Sequence, residues 1–557
     1  MKSFLRFDDV KKAFYLKRYR LRFLVSVFSF LFLYLGICTR LIQYGRENFK
    51  MKVEKSFSET YRGRPDIVDR HGRLLATDVK TYSLFAEPRR IIDVNETIEL
   101  LSRVLRDLRL DEVWRKLKSN SGFVWIKRGL TPDQKARIME LGIPGLGFRV
   151  ETRRFYPDGS IASHILGFVD VDNKGLSGIE KYIDQSGLSD LRAVWRAPAL
   201  KQLVLSIDIR IQALVHEELK KAIKRYRAQA GGALLLNVKT GEVIALVSLP
   251  DFDPNNPLKA LQPNRLNRMT AGLFEMGSTI KSFTTAMALD SGVFQLDTKI
   301  DASKPLHFGH QMIRDFHGKY RALALWEVFI YSSNIGSAKE AEILGIQHHR
   351  AFIKRIGLLE RIGIELPEIA SPIEPHVWKK VNSMTIAFGH GMMTTPLQTA
   401  VAAAALMNGG RLIEPTFLFK KNHNFLHGTQ VIKPKTSSDL RYLYELNAKM
   451  GSARNTVVDG YRVGGKTGTA EKVVKGRYVK DRRFNTFLAA FPMDDPSYVV
   501  LTIIDEPKPE KGRVSATSAL NAAPLAAEII RRSALFLGIH PDFTKEDAKT
   551  LIDPRYK

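Results

Sequence analysis

FEMGSTIKSF (274–283) is the stretch on which the reading of the whole chain turns. Ile280, Phe283, Thr284 and Met287 recur at helical spacing, which predicts a helix with one buried face running to about Leu289. Ser278 and Lys281 are three apart and share another face of that helix. A serine at a helix start lies among free backbone N–H groups, where the dipole favours a developing oxyanion. A serine hydroxyl is a poor nucleophile without a base in reach. A lysine serves as that base only when burial or a neighbouring cation lowers its pKa. In isolation Ser-x-x-Lys is a weak signal and reads more readily as a helix N-cap followed by a solvated lysine.

Two later elements change that balance. Ser332-Ser333-Asn334 follows the apolar run LALWEVFIY (323–331). From a tight turn, the Ser332 hydroxyl and the Asn334 amide point into one cleft. The hydroxyl is placed to pass a proton between Lys281 and a leaving amine, and the amide to orient substrate backbone or the lysine. Lys466-Thr467-Gly468, followed by Thr469, continues the strand-like Arg462–Gly465. A strand edge offers backbone partners to an extended substrate. Lys466 with the hydroxyls of Thr467 and Thr469 suits a carboxylate, and Gly468 leaves room for close approach. A second copy, Lys239-Thr240-Gly241, sits between the apolar runs Gly232–Asn237 and Val243–Leu249 and reads as a hairpin turn. The ordered set Ser278/Lys281, Ser332/Asn334 and Lys466/Thr467/Gly468 is a serine acyl-transfer signature.

Outward from these motifs, apolar runs at 232–249 and 486–504 flank a largely helical middle, roughly 278–408. A helix-like segment, Ala522–Phe536, closes the pattern. This predicts an α+β domain in which both halves complete one antiparallel sheet. Residues 421–437 and the basic KVVKGRYVKDRR (472–483) read as loops. Before residue 201 short strands (Tyr82–Ala86, Phe123–Lys127) alternate with helices (Ile98–Leu108, Thr131–Leu141), and no nucleophile and base cluster there. That region reads as a separate scaffold.

Phe23–Thr39 carries no charge, and Leu41 and Ile42 extend it, long enough to span a hydrocarbon core. Eight Lys and Arg precede it against Asp8 and Asp9, which predicts a cytoplasmic N-terminus and everything else outside. TRLIQYG (39–45) offers no small-x-small cleavage site, so the segment reads as a retained anchor. The organisation expected is a basic tail (1–22), an anchor (23–42), a non-catalytic pedestal (43–200), a catalytic domain (201–540) and a tail (541–557).

The 557 residues carry a formal net charge of +28. This favours an anionic neighbour such as a membrane surface or wall polymer. There is no zinc-finger spacing and no RNA-binding aromatic signature, so nucleic acid is not an expected partner. The single cysteine, Cys38, rules out an internal disulfide and a cysteine-based metal site. No H-E-x-x-H occurs, and neither metal nor cofactor is expected.

The resemblance extends beyond the three motifs. RGRPDIVDRHGRLLATD (62–78), RRFYPDGSIASHILGFVD (153–170) and GLSGIEKYID (175–184) resemble the non-catalytic module of class B penicillin-binding proteins. FEMGSTIKSF, AFGHGMMTTPLQ (387–398) and GGKTGTAEK (464–472) resemble their transpeptidase segments, with Met276 where the family more often has proline. Thr469–Lys472, the loop 472–483 and FLAAFPMDDPSYVVLTIIDEPK (487–508) resemble division-specific, septal members. Pro65-Asp66 and AEPRR (86–90) resemble their alphaproteobacterial forms.

The resemblance implies a five-stranded antiparallel sheet flanked by helices and a peptidoglycan D,D-transpeptidase inhibited by β-lactams. By it, Ser278 attacks the penultimate D-Ala carbonyl of a pentapeptide stem and Lys281 is the base. Ser332 and Asn334 assist proton transfer, and Lys466, Thr467 and Thr469 hold the terminal carboxylate. The N–H groups of Ser278 and Thr469 form the oxyanion hole. It implies nascent glycan as substrate, no glycosyltransferase module here, and partners in a polytopic septal glycosyltransferase and other division proteins. The alternatives are an elongation-specific transpeptidase, a D,D-carboxypeptidase, a β-lactamase or sensor, and a β-lactam-binding scaffold without turnover.

Overall fold

The computed structural model describes residues 21–43, 64–188, 202–308, 311–421, 428–474 and 477–543. The chain divides into two compact units. The first contributes the helix Leu21–Gln43, and the second holds everything described from Arg64 onward. Residues 1–20 of the basic tail, the stretch 44–63, the junction 189–201 and residues 544–557 lie outside the described residues. Leu21–Gln43 is a helix of 23 residues, long and apolar enough to cross a membrane. It exceeds the expected anchor by two residues at the start and one at the end.

In the second unit the N-terminal part is built on a sheet. Leu74–Ala86 pairs antiparallel with Asp66–Val68, Val124–Leu130 and Leu146–Phe155. Asp66–Val68 also pairs in parallel with Gln202–Val204. Helices Val94–Val104, Leu110–Leu117 and Pro132–Glu140 bury Leu101, Leu117 and Ile138 against Leu84, Ile126 and Leu130. Pro132–Glu140 starts in a full capping box, Thr131 with Gln134, as its Thr-Pro start predicts.

Under this sheet lies a buried ionic cluster. Arg64 and Arg154 both meet Glu180, at 2.7 and 2.6 Å, and each also pairs with a second acid, Arg64 with Asp184 and Arg154 with Asp78. The Glu180 and Arg154 side chains have no exposed surface. Glu180 is the fully buried acid both arginines share, and without its charge Arg64 and Arg154 keep only the partly exposed Asp184 and Asp78. Glu180→Gln is therefore expected to cost about 3–5 kcal/mol of stability, read as a fall in melting temperature.

The catalytic sheet runs in the order Gly464–Val474, Arg477–Phe491, Tyr498–Asp505, Ala230–Asn237, Val243–Leu249. Every neighbouring pair is antiparallel, so both halves of the chain complete one sheet, as expected. Leu234, Leu246, Leu488, Leu501 and Ile503 face the buried helices Lys281–Ser291 and Pro396–Met407. Leu235, Val247, Phe487 and Val500 face Ile209–Arg225 and Ala522–Ser533. The first of these clusters also contains Ile67, Tyr156, Ile165 and Ile179. The N-terminal part thus has a core of its own around Leu84, Leu101 and Leu130, and also joins the catalytic core through Ile67, Tyr156, Ile165 and Ile179.

Three other expectations change. The helical middle is interrupted by short antiparallel pairs, Lys299–Asp301 with Ala322–Ala324 and Leu306–Phe308 with Gln311–Ile313. Residues 421–437 are not one loop, because Thr429–Gln430 pairs with Arg411–Leu412 and a helix runs from Pro434 to Met450. The basic segment 472–483 is strand over its described residues. After a register shift at Glu471/Lys472, Lys472 lies opposite Val479.

Candidate active site

Ser278 sits in a short 3-10 turn, Gly277–Ile280, that runs directly into the α-helix Lys281–Ser291. Three glycines let three backbone segments meet there. Gly277 has φ +56, and a Cβ on it would lie 2.9 Å from the Thr469 carbonyl oxygen. A Cβ on Gly389 would lie 1.9 Å from the Gly277 oxygen. One on Gly468 would lie 2.5 Å from the Met276 oxygen and 2.2 Å from the Thr486 hydroxyl. Glycine at 468 is thus required by the protein's own packing against the nucleophile turn, where the sequence reading invoked substrate approach. Met276 has φ −79, within the range proline imposes, so the backbone at this position suits the proline the family more often carries.

Lys281 is 1% exposed. Its ammonium nitrogen reaches the Ser332 carbonyl at 2.5 Å, the Ser332 hydroxyl at 3.1 Å and the Asn334 amide oxygen at 2.7 Å. Lys466 comes from the edge strand Gly464–Val474 and reaches the same Ser332 hydroxyl at 2.9 Å. One hydroxyl thus bridges two buried lysines, a placement suited to proton relay. Of the two groups the sequence reading set before the Asn334 amide, substrate backbone or lysine, its oxygen contacts the lysine. Thr467 donates to Ser452 at 2.9 Å, and the Thr469 hydroxyl accepts from the Ser518 N–H at 3.2 Å. Ser278 is half-buried.

Ser332 is held at φ +56, unusual for a non-glycine residue. The helix Asn334–Leu344 anchors it. Ser333 caps that helix at the Gly336 N–H and donates to Asp315 at 2.7 Å, while Asp315 also accepts from the Ile335 N–H. Asn334 donates to the Arg314 carbonyl at 2.8 Å. The edge strand is fixed from behind, where Asn447 donates to the Gly465 carbonyl at 2.7 Å. Tyr444, on the same helix, donates to Ser282 at 2.7 Å. Asp315, Tyr444, Asn447 and Ser452 are absent from the sequence-derived site. They belong to no local motif, and only the fold brings them there.

Burial drives the electrostatics. It pushes the Lys281 amine down to about 7, against the opposing pull of Asp315 and Glu340. Burial, reinforced by the Lys281 charge, holds Lys466 well below its ordinary value. Near neutral pH, Lys281 is thus able to take a proton from a hydroxyl. The second Lys-Thr-Gly copy lies elsewhere, on the turn between Ala230–Asn237 and Val243–Leu249. There Lys239 pairs with Asp495 and Gly241 takes φ +76. Both observations match the hairpin reading. Among the described residues no cluster of His, Cys, Asp and Glu is arranged to hold a metal ion.

The family model described as "Penicillin binding protein transpeptidase domain" matches residues 231–531, more than half of the chain and all three motifs. The chain belongs to the penicillin-binding protein transpeptidase family. A second model, "Penicillin-binding Protein dimerisation domain", matches residues 59–187. That order of domains is the one expected of a class B penicillin-binding protein. The "Probable peptidoglycan D,D-transpeptidase FtsI" of Caulobacter vibrioides is 38% identical over 489 residues, 86% of this chain and 82% of the relative. The "Probable peptidoglycan D,D-transpeptidase PenA" of Neisseria meningitidis is 33% identical over 503 residues, 86% and 85%. The "Peptidoglycan D,D-transpeptidase FtsI" of Escherichia coli is 30% identical over 504 residues, 86% and 84%.

Proposed function

We propose that this penicillin-binding protein is a D,D-transpeptidase that cross-links peptidoglycan stems at the division septum. The observation that carries the reading is the Ser332 hydroxyl set between Lys281 and Lys466 beside the turn of Ser278. The transpeptidase names of its relatives agree with it. Neutral Lys281 takes the Ser278 proton as the oxygen attacks the penultimate D-Ala carbonyl. The N–H groups of Ser278 and Thr469 receive the oxyanion. The proton then passes through Ser332 to the nitrogen of the departing D-Ala, which leaves an ester on Ser278. An acceptor amine attacks that ester, gives its proton to Lys281, and the Ser278 hydroxyl is restored. Lys466, Thr467 and Thr469 hold the terminal carboxylate, whose charge stabilises the ammonium form of Lys466, with Gly468 between them on the strand edge. A β-lactam opens on the same serine and leaves an ester that water attacks slowly.

Because the base must be neutral, acylation is expected to slow as pH falls below about 7. Below that value Lys281 is an ammonium with no lone pair. The rate of acylation by a chromogenic cephalosporin across neutral pH checks this.

In the same reading residues 1–22 are a cytoplasmic tail and 23–42 a single-pass inner-membrane anchor. The pedestal (43–200) and catalytic domain (201–540) are periplasmic, followed by the tail 541–557. Glycan polymerisation belongs to a polytopic glycosyltransferase that meets the anchor and pedestal, alongside other division proteins. The test supplies full-length protein in detergent with nascent glycan bearing pentapeptide stems. Release of D-Ala matched by cross-linked stems is expected. D-Ala release with only trimmed stems assigns a carboxypeptidase instead, and neither product assigns a scaffold. A fluorescent fusion that stays along the side wall, away from the division site, would replace the septal role with elongation.

A further inference from the structure

Three residues just ahead of the nucleophile turn are each tied to a different part of the fold. The Phe274 N–H and carbonyl exchange bonds of 3.1 Å with Thr394, and its ring stacks on Phe484 at 4.1 Å. The Met276 carbonyl accepts from Thr279 at 2.7 Å and from Thr486 at 3.1 Å. Between them Glu275 is buried, and its carboxylate gathers three contacts. One oxygen accepts from the Gly391 N–H at 2.7 Å and from the Tyr478 hydroxyl at 3.1 Å. The other lies 3.1 Å from Nδ1 of His390. The acyl transfer above uses none of these side chains.

Tyr478 belongs to the basic stretch that the sequence presents as a loop. It lies on the strand Arg477–Phe491, opposite Val473 and beyond the register shift at Glu471/Lys472. Its ring stands edge-on to His390, with centroids 5.6 Å apart and planes at 85°. Burial and the Glu275 charge push the phenol up, so it keeps its proton and donates. A bond to an ionised carboxylate is stronger than one between neutral groups.

The oxyanion hole gives this link its consequence. Its two N–H donors lie on separate segments, Ser278 on the turn and Thr469 on the strand Gly464–Val474. That strand pairs antiparallel with the strand of Tyr478. Glu275 and Tyr478 therefore fasten the nucleophile segment to the same strand pair that carries Thr469. A misplacement of about 1 Å between reacting groups costs about a hundredfold in rate, so a fastening of this kind bears on the chemistry.

We infer that Tyr478 is a positioning residue for Ser278: its hydroxyl, through the Glu275 carboxylate, holds the nucleophile turn in line with Thr469 and Lys281. The inference rests on the reading of Ser278 as nucleophile. The partner of the hydroxyl stands three residues before Ser278, so the effect reaches the serine through the backbone.

The test is a double-mutant cycle on acylation by a chromogenic cephalosporin in detergent-solubilised full-length protein. Tyr478→Phe deletes one hydroxyl and leaves the ring on His390. It is expected to lower the limiting acylation rate about tenfold, with the half-saturating cephalosporin concentration and the melting temperature kept. In a Glu275→Ala background the same change is expected to cost nothing further, because the hydroxyl has lost its acceptor. A purely structural role would lower the melting temperature and leave the limiting rate in place. A direct contact with substrate would raise the half-saturating concentration, by the same factor in both backgrounds. Either result overturns the proposal. Should Glu275→Ala not fold, Tyr478→Phe alone decides, and an unchanged limiting rate in that folded variant overturns the proposal while a wild-type Ser278 adduct still upholds the proposed function. A wild type that forms no adduct on Ser278 would overturn the proposed function and this inference with it.

Discussion

Lys281→Met is expected to slow acylation of Ser278 by about a thousandfold or more, with the fold retained. Methionine fills the buried slot of the lysine stem, so packing changes little. What is lost is the one amine that reaches the Ser332 carbonyl, the Ser332 hydroxyl and the Asn334 amide together. Lys466 still touches the Ser332 hydroxyl, but from the edge strand. It stands where the substrate carboxylate is expected, and that carboxylate keeps it charged. It is therefore no substitute base. Stopped-flow acylation by a chromogenic cephalosporin, with a melting curve beside it, reads the effect. A loss smaller than about tenfold in folded protein would remove Lys281 from the proton transfer.

Gly389→Ala is expected to reduce acylation by about a hundredfold and to lower the melting temperature. Gly389 has φ +99, which strains an alanine backbone. The added methyl would also stand 1.9 Å from the Gly277 carbonyl oxygen, and backbone does not yield as a side-chain tip does. The nucleophile turn must move, and Ser278 moves with it away from Thr469 and Lys281. Gly292→Ala is the control. It has φ +77 at the end of the nucleophile helix and nothing within 4 Å of a new Cβ. It is expected to lose about 1 kcal/mol of stability and to acylate normally. Equal acylation by both variants would detach the close packing of Gly389 from the placement of Ser278.

The candidate site's residues were legible because they sit in short, local patterns. Ser278 with Lys281, and Ser332 with Asn334, are fixed by one turn each, and the strands around them carry unbroken apolar runs. The helix Pro434–Met450 was hidden because its buried face is partly polar. Ser437 donates to the Leu406 carbonyl and Asn447 to the Gly465 carbonyl, which blurs the apolar period. The strands past Glu471 were read as a basic loop because their charges satisfy one another across the sheet, as Lys472 does with Asp505 and Glu506. Glu340 and Glu342 look alike in sequence. One is fully buried and the other pairs with Lys380 at the surface, and helix packing alone separates them. Gly468 was placed in the right strand but given the wrong neighbour, because a one-dimensional reading does not reveal that Met276 lies against it.

The central claim is that Ser278 forms the acyl-enzyme. It is tested most directly by reacting detergent-solubilised full-length protein with labelled penicillin and mapping the adduct by peptide mass spectrometry, beside Ser278→Ala. One slowly released adduct on the peptide containing Ser278, absent from the variant, is the result expected. An adduct on another residue, or none in folded protein, would contradict the assignment of the nucleophile and the transpeptidase mechanism built on it.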